Sequence, residues 1–139
     1  DYSELTRYKI TRQGERVAVI ALGNFYPLGE SVCQKLQKET GIQATLINPR
    51  YITGVDKQML EDLKANHQLV ITLEDGVLDG GFGEKIARYY GDSEMKVKNY
   101  GLKKEFADRF VLEELLKENH LTDTQITNEI WEILDKKQD

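Results

Sequence analysis

Short apolar segments alternate with amphipathic ones along this chain, and that alternation constrains its fold more than any other feature. VAVIAL, at residues 17–22, is apolar at every position. Because successive strand residues point to opposite faces, this run predicts a strand buried on both faces. We expect three further strands at residues 43–48, 68–73 and 96–101. The last of them alternates between polar and apolar residues, which suits the edge of a sheet. The order predicts an α/β fold with three α/β/α layers and a mostly parallel sheet.

The segments between these strands have helical spacing and recognisable ends. Pro27 suits a first helical turn and Gly41 a helix end, while Asp56 can cap the next helix. Gly91 is expected to end a third helix. The apolar faces of the predicted helices are Leu28, Val32 and Leu36; Met59, Leu60 and Leu63; Phe82, Ile86 and Tyr90; Leu112, Leu115 and Leu116; and Ile126, Ile130, Ile133 and Leu134. Thr122 and Gln125 have the spacing of a capping box before the last helix.

Length and charge narrow the classes of protein. A chain of 139 residues with 40% hydrophobic residues can bury one sizeable core. We expect residues 1–16 to be an interdomain linker or an edge segment and residues 17–139 to form one domain. The net charge of −5, without a basic cluster, argues against nucleic-acid and membrane partners. The chain lacks an initiator Met, so we expect it to be part of a longer protein.

Cysteine and histidine usage offers little chemistry. Cys33 is the only cysteine, which excludes an internal disulfide, fits a cytoplasmic location and suggests a small buried hydrophobe. His67 and His120 lack metal-ligand spacing, and His67 is expected to make a local hydrogen bond. Trp131, beside the last isoleucine stripe, suits a core or interface anchor better than a cofactor-stacking group. The sequence therefore predicts no metal site.

The stretch LVITLEDGVLDGGFGEKI, from residue 69, joins a strand to a helix and has two interpretations. Gly80, Gly81 and Gly83 could form an anion-binding nest at the helix start. However, the chain has no GxxxxGK[ST] motif, and Ile86 stands where a dinucleotide fingerprint needs its third glycine. The other interpretation is a tight turn in which Gly80 and Gly81 have positive φ.

Glu74 and Asp75 in the same stretch form a second candidate site. They stand at the carboxyl end of a central strand, where open α/β sheets bind ligands. Consecutive strand residues point to opposite faces, so the two carboxylates should not act as one acid–base pair. We expect one of them to be solvated and the other to accept hydrogen bonds from nearby backbone N–H groups.

Three blocks of sequence resemble the C-terminal domain of the transketolase superfamily. They are GERVAVIALGNF, INPRYITGVDKQML and HQLVITLEDGVLDGGFGEKI. The family's second block is roughly D-x-R-(aromatic)-x-x-P-L-D, which Asn48, Arg50, Tyr51, Val55 and Asp56 follow, with Gly54 in place of proline. Its third block reads T-x-E-E and then G-G-x-G; the matching residues are Thr72, Glu74, Asp75, Gly80, Gly81 and Gly83.

The tail, from NYGLKKEF to the last helix, is similar to the end of the 1-deoxy-D-xylulose-5-phosphate synthase family. Gly101, Leu102 and Phe106 match that family's pattern. Lys103 and Lys104 replace its Pro-Asp, while Arg109 and Phe110 replace its His-Gly. Leu121, Thr122 and Ile126 match the end, and His120 stands where glycine is usual.

The resemblance implies a thiamine-diphosphate- and Mg²⁺-dependent transferase that acts as a homodimer. It would convert pyruvate and glyceraldehyde 3-phosphate into 1-deoxy-D-xylulose 5-phosphate, with release of CO₂. The sugar phosphate is a precursor for isoprenoid and thiamine biosynthesis. In that family the cofactor site lies in two preceding domains. We therefore expect this chain to be an inactive docking and dimer-supporting domain without catalytic, cofactor-binding or metal residues. The alternatives are the C-terminal domain of a 2-oxoacid dehydrogenase β subunit and a free-standing anion-binding α/β module.

Several residues are candidates for contacts with the rest of such an enzyme. Arg50 and Tyr51 follow the second predicted strand, and Arg50 could pair with Glu74 at the end of the third. The expected interface residues are Phe25, Tyr26, Arg50, Tyr51, Glu74 and Phe110. The alternative is that these aromatic side chains complete the domain's own core.

Overall fold

The computed structural model describes residues 8–49, 55–74, 81–101 and 121–138. Its strands are β1 (Lys9–Arg12), β2 (Arg16–Ala21), β3 (Thr45–Asn48), β4 (His67–Glu74) and β5 (Lys96–Gly101). Its helices are α1 (Tyr26–Thr40), α2 (Lys57–Leu63), α3 (Phe82–Tyr90) and α4 (Asp123–Gln138), and a 3₁₀ turn spans Gly23–Phe25.

The five described strands form one sheet in the order β1-β3-β2-β4-β5. β2 pairs in parallel with both β3 and β4, and β4 pairs in parallel with β5. Only β1 is antiparallel, along the outer side of β3. The predicted α/β class and mostly parallel sheet are confirmed, and β5 is an edge strand of the described sheet, as its alternation predicted.

Alternate residues of the central strands support two separate hydrophobic clusters. Val17, Val19 and Ala21 of β2 belong to the cluster that packs against α1 and α4. Ala18 and Ile20 belong to the cluster under α2 and α3. Every residue from 17 to 21 is fully buried, so β2 is covered on both faces. Helices therefore lie on both faces of the sheet, and the three-layer arrangement is confirmed.

The helix ends follow the capping residues in the sequence. Gly41 ends α1 with a φ of 78°, in the left-handed region that favours glycine. Asp56 begins α2, because its side chain accepts a hydrogen bond from the Met59 N–H at 3.1 Å. Before α4, the Gln125 N–H donates to the Thr122 hydroxyl oxygen, and the Thr122 N–H donates to the Gln125 side chain. The capping box is confirmed.

Element bounds differ from the predictions by a few residues. β5 has the predicted bounds, β4 is one residue longer at each end, and β3 begins two residues later. β1 lies within the segment predicted as a linker or edge segment and is the edge strand of the sheet. A linker before it stays a prediction, as does the helix of Leu112, Leu115 and Leu116, which lies outside the described residues. None of the described helices is long and apolar enough to cross a membrane.

Candidate functional site

The sheet order places a reversal of strand connections between β2 and β4. The chain leaves β2 through α1 towards β3 on one side, and leaves β4 through α3 towards β5 on the other. Open α/β sheets bind ligands at the carboxyl ends of strands beside such a reversal. The described residues at the carboxyl ends of β2 and β4 are therefore the candidate site.

Backbone contacts already join the two strands at this point. The Leu22 N–H, just after β2, donates to the Leu73 carbonyl of β4 at 2.9 Å. Phe25, in the 3₁₀ turn after β2, is buried in the cluster on the α1 and α4 face. The described part of this edge is thus occupied by the domain's own backbone and core.

Glu74, the last residue of β4, is buried and serves the start of α3. Its Oε2 accepts a hydrogen bond from the Gly83 N–H at 2.9 Å, and only 4% of the residue is exposed. Gly81 holds the N-cap position of α3 and has no side chain to cap it. A carboxylate at a helix N-terminus is also stabilised by the helix dipole. This is the backbone-capping role expected for one carboxylate of the pair; Asp75 lies outside the described residues.

Gly83 lies against a partly buried polar pair on the neighbouring strands. The Thr72 hydroxyl of β4 donates to Asn99 Oδ1 of β5 at 2.6 Å. A Cβ added at Gly83 would lie 2.6 Å from the Thr72 oxygen and 2.7 Å from Asn99. The first turn of α3 can therefore approach the sheet only without a side chain at residue 83.

The positive-φ turn predicted for Gly80 and Gly81 is wrong for Gly81. Gly81 has a φ of −83° and a ψ of −173°, an extended conformation open to any residue. Gly80 lies outside the described residues. Close packing explains the glycine at position 83, and the backbone conformation of Gly81 does not require glycine. The predicted anion nest of Gly80, Gly81 and Gly83 stays a prediction.

The structure describes only half of the predicted interface residues. Phe25 is 7% exposed and completes the domain's own core, as the alternative interpretation had it. Tyr26 is half-buried, and its hydroxyl donates to Thr11 on β1. Arg50, Tyr51 and Phe110 lie outside the described residues, as does the predicted contact between Arg50 and Glu74. An interface role for these residues stays a prediction.

The local hydrogen bond predicted for His67 is confirmed, but sequence reasoning missed the rest of a hydrogen-bond network at the amino ends of the strands. The His67 ring bonds the Leu63 carbonyl through Nδ1 at 3.1 Å, so Nδ1 carries the proton. Nε2 lies 2.7 Å from the Thr45 hydroxyl, which donates to it. The Gly14 N–H in turn donates to the Thr45 oxygen. A signal for this network was present, because Thr45 is a polar residue directly before the apolar Leu46 and Ile47 in a predicted strand.

Burial shifts the pKa values of His67 and of Cys33. Desolvation lowers the pKa of His67, which keeps the ring neutral. It also raises the pKa of the Cys33 thiol to about 12. Cys33 is fully buried, as predicted, and such a thiol is unreactive. Within the described ranges, no three His, Cys, Asp or Glu residues are placed to hold a metal ion.

The sequence matches a known domain family and several known proteins. The family described as "Transketolase, C-terminal domain" matches residues 6–126. A 1-deoxy-D-xylulose-5-phosphate synthase from Alkaliphilus oremlandii is 33% identical over 119 residues, which cover 84% of this chain and 19% of that protein. One from Francisella tularensis subsp. holarctica is 27% identical over 135 residues, which cover 94% of this chain and 21% of that protein.

Solved structures agree on the fold. A split-gene transketolase, described as an inactive β4 tetramer, matches with a TM-score of 0.75 and 22% identity, covering 91% of this chain and 41% of that one. A transketolase mutant from Pichia stipitis matches with a TM-score of 0.60 and 14% identity, covering 91% and 18%. The chain thus spans about a fifth of the length of its curated relatives. Because the family match covers most of the residues, this chain belongs to the transketolase C-terminal domain family.

Proposed function

We propose that this chain is the C-terminal domain of a thiamine-diphosphate-dependent transferase of the 1-deoxy-D-xylulose-5-phosphate synthase type. The observation that carries the proposal is the match to synthases over 84–94% of the chain, including the tail beyond β5. The whole enzyme would act in the cytoplasm and convert pyruvate and glyceraldehyde 3-phosphate into 1-deoxy-D-xylulose 5-phosphate and CO₂. Its role would be to supply isoprenoid and thiamine biosynthesis.

Within that enzyme, we assign the chain a structural role in docking and dimer support. The described residues do not fit thiamine diphosphate with Mg²⁺, because they contain no metal-binding group of carboxylates, histidines or cysteines. Glu74 also places a carboxylate at the N-terminus of α3, where it would repel a diphosphate. In the family that the sequence resembles, the cofactor site lies in two preceding domains, and we assign the cofactor and the catalytic residues to those domains.

The same carboxylate argues against the free-standing anion-binding module. An anion at the start of α3 would have to displace Glu74 from the Gly83 N–H. The other alternative is a 2-oxoacid dehydrogenase β subunit; one matching structure from an enzyme that acts on a 2-oxoacid is a 2-oxoglutarate:ferredoxin oxidoreductase, with 16% identity and a TM-score of 0.58. That likeness shows only a shared fold, so the synthase-type assignment stands first.

Expression of the complete gene that contains this sequence tests the proposal. The purified product should form 1-deoxy-D-xylulose 5-phosphate from pyruvate and glyceraldehyde 3-phosphate, and only with thiamine diphosphate and a divalent metal. It should also restore growth to a bacterium whose own synthase has been deleted. If the purified protein carries all three domains and binds the cofactor but forms no 1-deoxy-D-xylulose 5-phosphate, the synthase assignment is contradicted.

A further inference from the structure

Three consecutive backbone N–H groups attach residues 14–16, which lead from β1 into β2, to the neighbouring strands. The Gly14 N–H donates to the Thr45 hydroxyl oxygen of β3 at 3.0 Å. The N–H groups of the next two residues donate to the carbonyls of Gln43 and Asn66, each at 2.8 Å, just before β3 and β4. A Cβ added at Gly14 would lie 2.1 Å from the Gln43 carbonyl oxygen, so the packing here is close. We call residues 14–16 the β1–β2 connection.

Thr45 joins the β1–β2 connection to His67. Its hydroxyl oxygen accepts from the Gly14 N–H, and its hydroxyl proton is donated to His67 Nε2, 2.7 Å away. The ring donates its own proton from Nδ1 to the Leu63 carbonyl at 3.1 Å. Thr45 is fully buried, and only 6% of His67 is exposed. With a neutral ring, both ring nitrogens and the hydroxyl group therefore have hydrogen-bond partners.

Protonation of His67 reverses one of these hydrogen bonds. Nε2 becomes a second donor, so the Thr45 oxygen faces two donors and its own proton loses its acceptor. A buried hydroxyl proton without a partner and a buried cation both cost free energy. Both costs fall if the β1–β2 connection moves away from Thr45 and water reaches the ring. The protonated form therefore favours an open connection.

Charged residues surround the ring on several elements. Glu15 lies in the β1–β2 connection, and Arg16 is the register partner of His67 on β2. The cavities that border His67 are lined by further charged residues before, within and after the helices on this face: Asp56, Asp62, Lys64 and Glu94. Desolvation has the largest effect on the pKa of His67 and lowers it, whereas the Leu63 hydrogen bond and the Glu15 carboxylate raise it. The net shift is downward, so the ring is neutral at pH 7 and the connection is closed.

We propose that His67 is a pH-sensitive latch, which holds the β1–β2 connection on β3 and β4 when the ring is neutral and releases it when the ring is protonated. Thr45 transmits the change, because its hydroxyl group bonds both His67 and Gly14. The release is local, since β2 remains paired with β3 and β4 through residues 17–21. The latch involves neither cofactor nor substrate, so it goes beyond the proposed function.

Hydrogen–deuterium exchange of the complete gene product tests the latch, after correction for the intrinsic pH dependence of exchange. Between pH 7.5 and 5.5, the amides of residues 14–16 should lose three- to tenfold in protection. The limit is about tenfold, because a released ring with a pKa of about 6.5 gains at most one proton over this range. The Gly41 amide, which donates to the Gln37 carbonyl at the end of α1, is the control and should keep its protection. No change at residues 14–16, or an equal change at Gly41, would overturn the proposal.

Two variants distinguish the latch from general sensitivity to acid. His67→Gln keeps a carbonyl acceptor for Thr45 but does not titrate, so the pH dependence at residues 14–16 should disappear. Thr45→Val removes the hydroxyl, so these amides should already exchange at least threefold faster at pH 7.5. Persistent pH dependence in His67→Gln, or full protection in Thr45→Val, would overturn the proposal. Neither measurement requires enzyme activity, so failure of the latch leaves the synthase assignment intact.

Discussion

Gly83 shows how one missing side chain sets the position of a helix. The Thr72–Asn99 hydrogen bond occupies the space that a Cβ at residue 83 would need. Sequence reasoning located the glycine cluster correctly but explained it by backbone conformation. The distinction depends on a contact between two strands and a helix, which the spacing of glycines in a sequence does not contain.

Replacing Gly83 with alanine should destabilise the protein by about 1–3 kcal/mol, because the new methyl group must push α3 away from the partly buried Thr72–Asn99 pair. Gly91→Ala is the matched control at the other end of the same helix. Gly91 has helical φ and ψ, and the closest atom to an added Cβ is 3.4 Å away. The control should be neutral or stabilising by a few tenths of a kcal/mol. Urea denaturation measures both, and equal midpoints for the two variants would refute the steric explanation.

His67 should make stability depend on pH. Burial lowers its pKa in the folded protein, so between that value and the unfolded pKa of about 6.5 the unfolded state binds more protons. Stability should therefore fall as the pH decreases from about 6.5 through this window, and His67→Gln should lose that component. Denaturant midpoints between pH 7.5 and 5 measure the difference between the two slopes. Identical slopes would show that the ring titrates normally in the folded state.

At the scale of elements, Glu74 joins the end of β4 to the start of α3. Removing the carboxylate with Glu74→Ala should cost about 1–2 kcal/mol, because the Gly83 N–H loses its acceptor in a buried site. Glu74→Gln keeps a carbonyl acceptor but loses the charge, so it should cost less. Glu84→Gln changes a more exposed carboxylate in the same first turn and is the control. The midpoint temperature of thermal unfolding should be lower for Glu74→Ala than for Glu74→Gln. The reverse order would contradict the capping role.

The start of α4 offers a second test with neighbouring threonines. Thr122 exchanges hydrogen bonds with Gln125, whereas Thr124 is exposed and lies inside the helix. Thr122→Ala should destabilise the protein by about 1 kcal/mol through loss of the cap. Thr124→Ala should be neutral or slightly stabilising, because alanine has the higher helix propensity. Denaturant unfolding of the two variants compares them, and equal effects would show that the capping box contributes nothing.

The elements themselves were predictable where local chemistry decides. Gly41, Asp56 and Thr122 each act within a few residues of their own position, so the helix ends followed from the sequence. β1 was harder, because its residues alternate weakly and its place depends on β3, more than 30 residues away. Arg16 has a φ of 72°, a conformation usually found at glycine or asparagine. The arginine in the sequence therefore gave no sign of it. Features fixed by distant partners were the ones that the pattern could not specify.

At the scale of the whole molecule, we have assigned the cofactor site to the preceding domains. This assignment predicts that this chain alone binds no thiamine diphosphate. The reason is the lack of a fitting set of groups among the described residues, together with the carboxylate at the start of α3. Isothermal titration with the cofactor and Mg²⁺ should give no binding heat with this chain and a clear isotherm with the complete gene product. Micromolar binding by the chain alone would place the cofactor site in this domain.

The sheet order also has a consequence for synthesis on the ribosome. β1 emerges first but pairs only with β3, and β2 lacks its second neighbour until β4 has emerged. A nascent chain that stops between residues 48 and 67 would therefore expose one open edge of β2, in which every residue after Arg16 is apolar. Such intermediates associate readily with other chains, so the interval between the emergence of β3 and β4 is when this domain most needs a chaperone.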